Sequence, residues 1–328
     1  MSVIIVAGGN YGSEGKGKVA RYLCQKKDAG AAVRVGGSNS GHTVSGKVLR
    51  MLPSIAVDKD PCRYLILPAG SYIDVDVLLE EIETFGIHPN LVKIHPNAGV
   101  ITKQQKEDEC VAKLGDRISS TLSGTGACVA DRVMRSGQFV RAADCEQLKH
   151  FITDTTQLMN LLLQVGETIV VEGSQGYMLS NLVSPYYPYA TARDTTAAGI
   201  LSEAGLSPFD VETICLVFRT FPIRVGGPSG ELPHEISWED VSKYSGVQNL
   251  REYTSVTHKL RRVAEFDFDD AIKAIIANKP NMIVMNHMDY FKEDARRVFL
   301  KTFERMTGRS VNLAGIGPDE FIELGEFN

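Results

Sequence analysis

Along the chain, short runs of consecutive apolar, β-branched residues alternate with longer stretches whose apolar positions recur every three or four residues. Runs of the first kind predict strands buried on both faces, and stretches of the second predict amphipathic helices that cover them. Strands are expected at Val3–Ala7, Ala32–Val35, Leu65–Leu67, Val92–Ile94, Thr168–Glu172, Thr213–Phe218 and Met282–Met285. Helices are expected at Lys18–Lys27, Val75–Phe85, Gln104–Leu114, Glu146–Leu163 and Ala271–Ala277. In the second of these Val75, Leu78, Leu79, Ile82 and Phe85 share one stripe, and Glu80, Glu81 and Glu83 are assigned to a solvated face. The alternation predicts an α/β fold, a mostly parallel central sheet with helices on both faces and long functional loops. No fixed-period repeat, low-complexity stretch or Pro/Gly/Ser-rich linker interrupts it, so residues 1–328 read as one domain.

Charge narrows the function. The 35 Lys and Arg against 40 Asp and Glu leave a net charge of −5, so no basic excess exists to coat a nucleic acid backbone. No apolar run reaches the ~20 residues of a membrane span, and Val3–Ala7 is too short for a signal peptide. Six scattered cysteines (Cys24, Cys62, Cys110, Cys128, Cys145 and Cys215), with no C-x-x-C pair, read as reduced thiols. A cytoplasmic protein without nucleic acid or membrane partners is expected.

The chemistry concentrates in loops. Val3–Ala7 runs into Gly8-Gly-Asn-Tyr-Gly12-Ser-Glu-Gly15-Lys-Gly17-Lys18, with five glycines in ten residues before a helix. Glycine lets backbone N–H groups approach a phosphate, the helix N-terminus adds partial positive charge, and Lys16 and Lys18 supply full charges. Gly12-x4-Gly17-Lys18 has P-loop spacing, but Val19 stands where a Mg²⁺-binding Ser or Thr belongs, which disfavours a switch GTPase. A second loop, Gly36-Gly-Ser-Asn39-Ser-Gly41-His42-Thr43, also follows a strand. Two such loops at neighbouring strand ends form a ligand crevice, with His42 in a setting that suits catalysis.

These residues resemble the adenylosuccinate synthetases. The family loops G-D-E-G-K-G-K and N-A-G-H-T correspond to Gly12–Lys18 and Asn39–Thr43. Similar blocks follow in order: Glu172-Gly-Ser-Gln175-Gly, Tyr187-Pro-Tyr-Ala-Thr191, Asp194-Thr-Thr-Ala-Ala-Gly199, Arg224-Val-Gly-Gly-Pro228 with Glu231-Leu232, Val256-Thr257-His258-Lys259-Leu260-Arg261-Arg262, and Gly315-Ile-Gly317-Pro318-Asp319. The resemblance implies that family's fold and a nucleotide-driven ligation of a 6-oxopurine nucleotide to L-aspartate. The γ-phosphoryl group first moves onto O6, and the aspartate amine then displaces phosphate at C6.

On this resemblance Gly12, Glu14, Gly15, Lys16, Gly17, Lys18, Gly41, His42, Thr43, Asn286, Asp289, Gly315, Gly317 and Pro318 bind the phosphoryl donor. Ser13, Asn39, Ser120, Thr121, Arg135, Gln175 and Thr191 bind the acceptor nucleotide, with Arg135 reaching a neighbouring site in a homodimer. Thr257, Lys259 and Arg261 bind aspartate, with Arg261 and Arg262 both retained to hold its dicarboxylate. Ser13 and Gly41 would hold Mg²⁺, and Ser13, His42 and Gln175 stand at the catalytic positions.

Departures from the family pattern carry the specificity. The family's catalytic Asp is Ser13, a negligible base and at best a weak neutral ligand. The shorter side chain leaves room for a group at purine C2, and a Ser here resembles the bacteriophage branch that joins dGMP to aspartate for 2-aminoadenine DNA. Lys259 stands for the usual Arg, and Asn286-His287-Met288-Asp289 for the guanine-reading T-K-x-D, so ATP or dATP is the expected donor. The alternatives are a synthetase acting on IMP with GTP, and a nucleotide sensor without turnover. If the chain is phage-encoded, the cytoplasm is the host's. His258 and His287 are given no catalytic role, and Trp238 is assigned to packing.

Overall fold

The computed structural model describes residues 2–254 and 259–325. Strand β1 (Ser2–Gly8) lies near the middle of a nine-stranded sheet. On one side follow Thr168–Glu172, β2 (Ala31–Arg34), a strand at Tyr64–Leu67 and one at Val92–Ile94. On the other lie Val211–Arg219, Met282–Asn286, Leu313–Gly315 and Phe321–Glu323. Every pairing is parallel except the last, Leu313–Gly315 with Phe321–Glu323.

All seven expected strands are present, and β1 shows why its run is continuously apolar. Successive side chains point to opposite faces. Val3, Ile5 and Ala7 enter one core with Met159, Ile200 and Phe218, while Ile4 and Val6 enter the other with Val19, Leu23 and Ile55. Covered on both sides, the strand has no polar face.

The helices match less evenly. Helix α1 spans Lys16–Lys26, two residues earlier than expected, and α2 spans Val75–Thr84. Lys103–Val111 starts from a Thr102/Gln105 capping box. The expected helix Glu146–Leu163 is two pieces, a 3₁₀ run at Glu146–Phe151 and a helix at Thr155–Gln164. Between them Ile152 bridges Ile94, and Thr153 N donates to the Ile94 carbonyl at 2.9 Å, so this backbone serves the sheet. Asp154 then caps Gln157 N at 3.0 Å and restarts the helix.

Glu81 corrects the solvated-face expectation. It is buried, and its carboxylate accepts from the backbone N–H groups of Arg50, Met51 and Leu52, the last at 2.8 Å. Burial pushes its pKa up against those bonds. Trp238 packs as expected with Phe221, Ile223, Val241 and Val263, and its indole N–H donates to the Arg261 carbonyl at 2.7 Å. The six cysteines are free thiols, and among the described residues no helix is long and apolar enough to cross a membrane.

Candidate active site

The parallel strands deliver their loops to one edge of the sheet, the carboxyl edge where open α/β folds bind ligands. The loop after β1 is built around Glu14. Its buried carboxylate accepts from Asn10 N at 3.1 Å, Gly12 N at 2.8 Å and the Lys16 ammonium at 2.6 Å. A Cβ at Gly8 would sit 2.8 Å from both carboxylate oxygens, so the strand must end in glycine. Asn286 pins the loop from the opposite side, its Nδ2 donating to the Glu14 carbonyl at 2.6 Å. The loop therefore spends the donors of Asn10, Gly12 and Asn286 on its own shape. Left over is the N-terminus of α1, which has no side-chain cap. An uncapped helix N-terminus of this kind has the N–H groups and the partial positive charge to hold an anion.

Ser13 stands exposed on this loop in the left-handed region, φ 57. Its carbonyl accepts from Arg219 Nη1 at 3.0 Å. Arg219 is fully buried and paired with Glu252, which also accepts from the Tyr290 hydroxyl at 2.8 Å. Burial would raise the Glu252 pKa, but Arg219 holds it near 2, so this carboxylate is an anion with little basicity.

Strand β3 (His42–Val44) forms a hairpin with β4 (Lys47–Leu49) and places His42 at its base. His42 Nδ1 meets Glu172 Oε1. The same oxygen accepts from Arg34 Nη1 and Ser54 Oγ, both at 2.7 Å, while Glu172 Oε2 accepts from Ser54 N at 2.8 Å. Burial, aided by the Arg34 charge, draws the His42 pKa down to about 4. Glu172 is held near 2, its neighbours His42 and Arg34 outweighing burial. A neutral imidazole beside an anionic carboxylate donates from Nδ1, which leaves Nε2 as an acceptor.

A cavity of about 500 Å³ collects these groups. It is lined by Ser13, Gly15, Lys16, Gly17, Lys18, Gly41, His42, Thr43, Asp289, Gly317, Pro318 and Arg261, all expected site residues. Burial lowers the Lys18 pKa to about 8 against the pull of Asp289 and Asp319, and its ammonium donates to the Gly317 carbonyl at 2.7 Å. Sequence reasoning missed Ser45, Gly46, Arg251, Glu252, Tyr253 and Tyr290 in the lining. His287, given no role from sequence, also lines it, neutral with its pKa drawn to about 3 by burial and by Arg219.

Other expected residues lie off this cavity. Gly12, Glu14 and Asn286 support the loop, and a Cβ on Gly315 would collide with Asn286. Gln175, in the left-handed region at φ 57, packs behind Gly12 with its buried Oε1 unpartnered. Asn39 Oδ1 is likewise buried without a partner. Thr121 is exposed and donates to Ser123 Oγ at 3.2 Å, while Ser120 Oγ accepts from Leu122 N at 3.2 Å. Thr191 N donates to the Leu179 carbonyl at 2.7 Å, and Arg135 is exposed at the end of the helix Thr125–Met134. Lys259 is exposed, and Thr257 and His258 lie outside the described residues. Arg262 departs from its expected role beside aspartate: its guanidinium pairs with Glu235 at 2.5 Å and donates to the Gly230 carbonyl at 2.6 Å.

The adenylosuccinate synthetase family model matches residues 5–145 and 141–298, spanning every loop described above except Ile316–Asp319. The chain belongs to the adenylosuccinate synthetase family. It is therefore a ligase that forms a C–N bond. Curated adenylosuccinate synthetases from Methanococcus aeolicus and Methanocaldococcus jannaschii are each 35% identical to it. Both alignments cover 97% of this chain, with 98% and 95% of the relatives. Among solved structures, the cyanophage S-2L succinoaminodeoxyadenylate synthetase bound to dGMP and to dATP as an energy donor superposes with a TM-score of 0.85. That match has 29% identity and covers 98% of this chain and 95% of the other. The fully ligated Plasmodium falciparum adenylosuccinate synthetase shares the fold, with a TM-score of 0.86 at 19% identity over 99% of this chain and all of the other.

Proposed function

We propose that the chain ligates dGMP to L-aspartate with ATP or dATP as phosphoryl donor. The products are N6-succino-2-amino-2′-deoxyadenylate, the nucleoside diphosphate and phosphate, for 2-aminoadenine DNA synthesis. The observation that carries this reading is Ser13, a small hydroxyl exposed on the cavity where the family carries a carboxylate. The shorter side chain leaves space beside purine N1 for the 2-amino group of guanine. The likeness to the cyanophage enzyme solved with dGMP and dATP supports it. So does His287, which replaces the lysine of the family's guanine-reading motif at the donor end, leaving Asp289 there.

Catalysis here is positioning and charge neutralisation, as in phosphoryl transfer generally. Lys16, Lys18 and the N-terminus of α1 hold the donor phosphates. His42, its ring fixed by Glu172 through Nδ1, gains a proton on Nε2 as the anionic donor phosphates bind and then donates from Nε2 to the transferring group. Arg261 holds a carboxylate of aspartate while the amine attacks C6 and phosphate leaves. Gln175, Asn39, Ser120, Thr121 and Thr191 hold the acceptor nucleotide, and Arg135 completes the phosphate site of the second subunit in a homodimer. Ser13 and Gly41, both on the cavity, offer oxygen donors, which fits a Mg²⁺ ion held chiefly by substrate phosphates. When bound, the ion would withdraw charge from the phosphoryl group.

A second reading, IMP as acceptor and GTP as donor, is favoured by the 35% identity to archaeal enzymes named adenylosuccinate synthetase. Phosphate release with aspartate, measured with Mg-ATP and again with Mg-GTP, separates the two. The proposal expects kcat/KM for dGMP to exceed that for IMP, with GMP between them or below. Higher kcat/KM for IMP would overturn it.

A further inference from the structure

Glu252 lies where three parts of the site meet. Its carboxylate grips Arg219, whose Nη1 also donates to the Ser13 carbonyl on the phosphate loop at 3.0 Å. Its main-chain carbonyl accepts from Arg261 N at 3.0 Å, next to an antiparallel bridge between Tyr253 and Leu260. It accepts from the hydroxyl of Tyr290, beside Asp289 at the donor end of the cavity. Arg219 is tied to the same loop a second time, its N–H donating to Asn10 Oδ1 at 3.0 Å. Ser13 sits in a left-handed conformation that costs a non-glycine residue energy and persists only where its surroundings enforce it. The Arg219 hydrogen bond to its carbonyl is one such enforcement.

We propose that Glu252 is a positioning residue for both halves of the reaction, joining the Arg261 segment to the phosphate loop through Arg219 and the Ser13 carbonyl. It is not a replacement proton acceptor for the missing carboxylate, since Arg219 and Tyr290 already occupy its oxygens. Removing its charge leaves a buried guanidinium with a neutral partner. Arg219 then no longer fixes the Ser13 peptide, so phosphoryl transfer suffers even though Glu252 touches neither phosphate nor purine. A residue that merely supported the Arg261 arm would affect the aspartate step alone.

This inference rests on the ligase chemistry of the family and not on which purine is used. The test therefore employs whichever of dGMP and IMP the wild type converts, and its failure would leave the substrate assignment standing. Positional isotope exchange in ATP carrying heavy oxygen in its β,γ bridge, run without aspartate, reads the first step by itself. For Glu252→Gln the exchange rate should fall by about 10²-fold, the scale of a small misplacement of reacting groups. Glu252→Asp should recover part of it, and calorimetric affinities for ATP and the purine nucleotide should stay near wild type. Tyr290→Phe keeps the packing and removes one hydrogen bond, so it should slow exchange in the same direction by a few-fold and decides the matter if Glu252→Gln does not fold. Exchange at the wild-type rate in Tyr290→Phe and in a folded Glu252→Gln, with only the KM for aspartate raised, would overturn the proposal.

Discussion

His42 and Glu172 share one hydrogen bond, from the Nδ1 of a neutral imidazole to a carboxylate that also accepts from Arg34 and Ser54. Glu172 ends the strand next to β1, and His42 opens the hairpin that follows β2, so the sheet itself sets their separation. Replacing Glu172 by Gln keeps the shape but removes the charge that selects the Nδ1–H tautomer. By analogy with other oriented histidines, kcat should fall at least ~100-fold while nucleotide affinity changes little. Steady-state kinetics beside calorimetric binding check this.

The same pair makes a stability prediction with a definite sign. His42 titrates near 4 in the folded chain against an ordinary 6.5, so between these values the unfolded state binds more protons. Stability is therefore fully present above about pH 6.5 and drains as pH falls toward 4, by up to about 3 kcal/mol from this group. Glu172, held near 2, adds a further loss below the ordinary carboxylate range. Denaturant melts across this range should show the slope, and His42→Asn should flatten its upper half.

Lys18 predicts an alkaline limb. Its ammonium titrates near 8, so kcat/KM for ATP, which reports the free enzyme, should decline as pH rises through that value. Lys18→Met should remove the limb along with much of the affinity for ATP. A wild-type profile level to pH ~10 would contradict the assignment of Lys18 to the donor phosphates.

Ser13→Asp tests the specificity argument directly. Aspartate tolerates the left-handed backbone at this position better than most side chains, so the variant should fold. It restores a carboxylate beside purine N1 and fills the space assigned to the 2-amino group. The ratio of kcat/KM for dGMP to that for IMP should drop by roughly tenfold or more, on the scale of one lost or gained steric fit. An unchanged ratio would remove Ser13 as the determinant.

How far the sequence could be read depended on whether a residue acts locally or across the fold. The strands were legible because burial on both faces writes a continuous apolar run, as in β1 and Met282–Asn286. The phosphate loop and the His42 loop were legible because glycine spacing is a local requirement. Glu146–Leu163 misled because its apolar spacing continues through Ile152, whose backbone is claimed by Ile94 and not by a helix; Asp154 before Thr155 was the available stop-and-start signal. Glu81 misled because its partners, the N–H groups at residues 50–52, are some thirty positions away. Glu252 left no local mark, since its meaning comes from Arg219 on a distant strand, and Arg262 looked like a ligand until its partner Glu235 was in place.

Glu81 accordingly carries a stability prediction. Glu81→Ala strips three backbone N–H groups, two of them buried, of their acceptor and should cost about 3 kcal/mol in equilibrium unfolding. Glu80→Ala and Glu83→Ala, on the same helix but exposed, should each stay within about 0.5 kcal/mol of wild type.

The most direct test of the central claim is a competition. The enzyme is given equal dGMP and IMP with aspartate and both Mg-ATP and Mg-GTP, and the products are weighed by mass spectrometry. The account predicts N6-succino-2-amino-2′-deoxyadenylate as the main early product. Adenylosuccinate in its place, with dGMP left unconsumed, would contradict it.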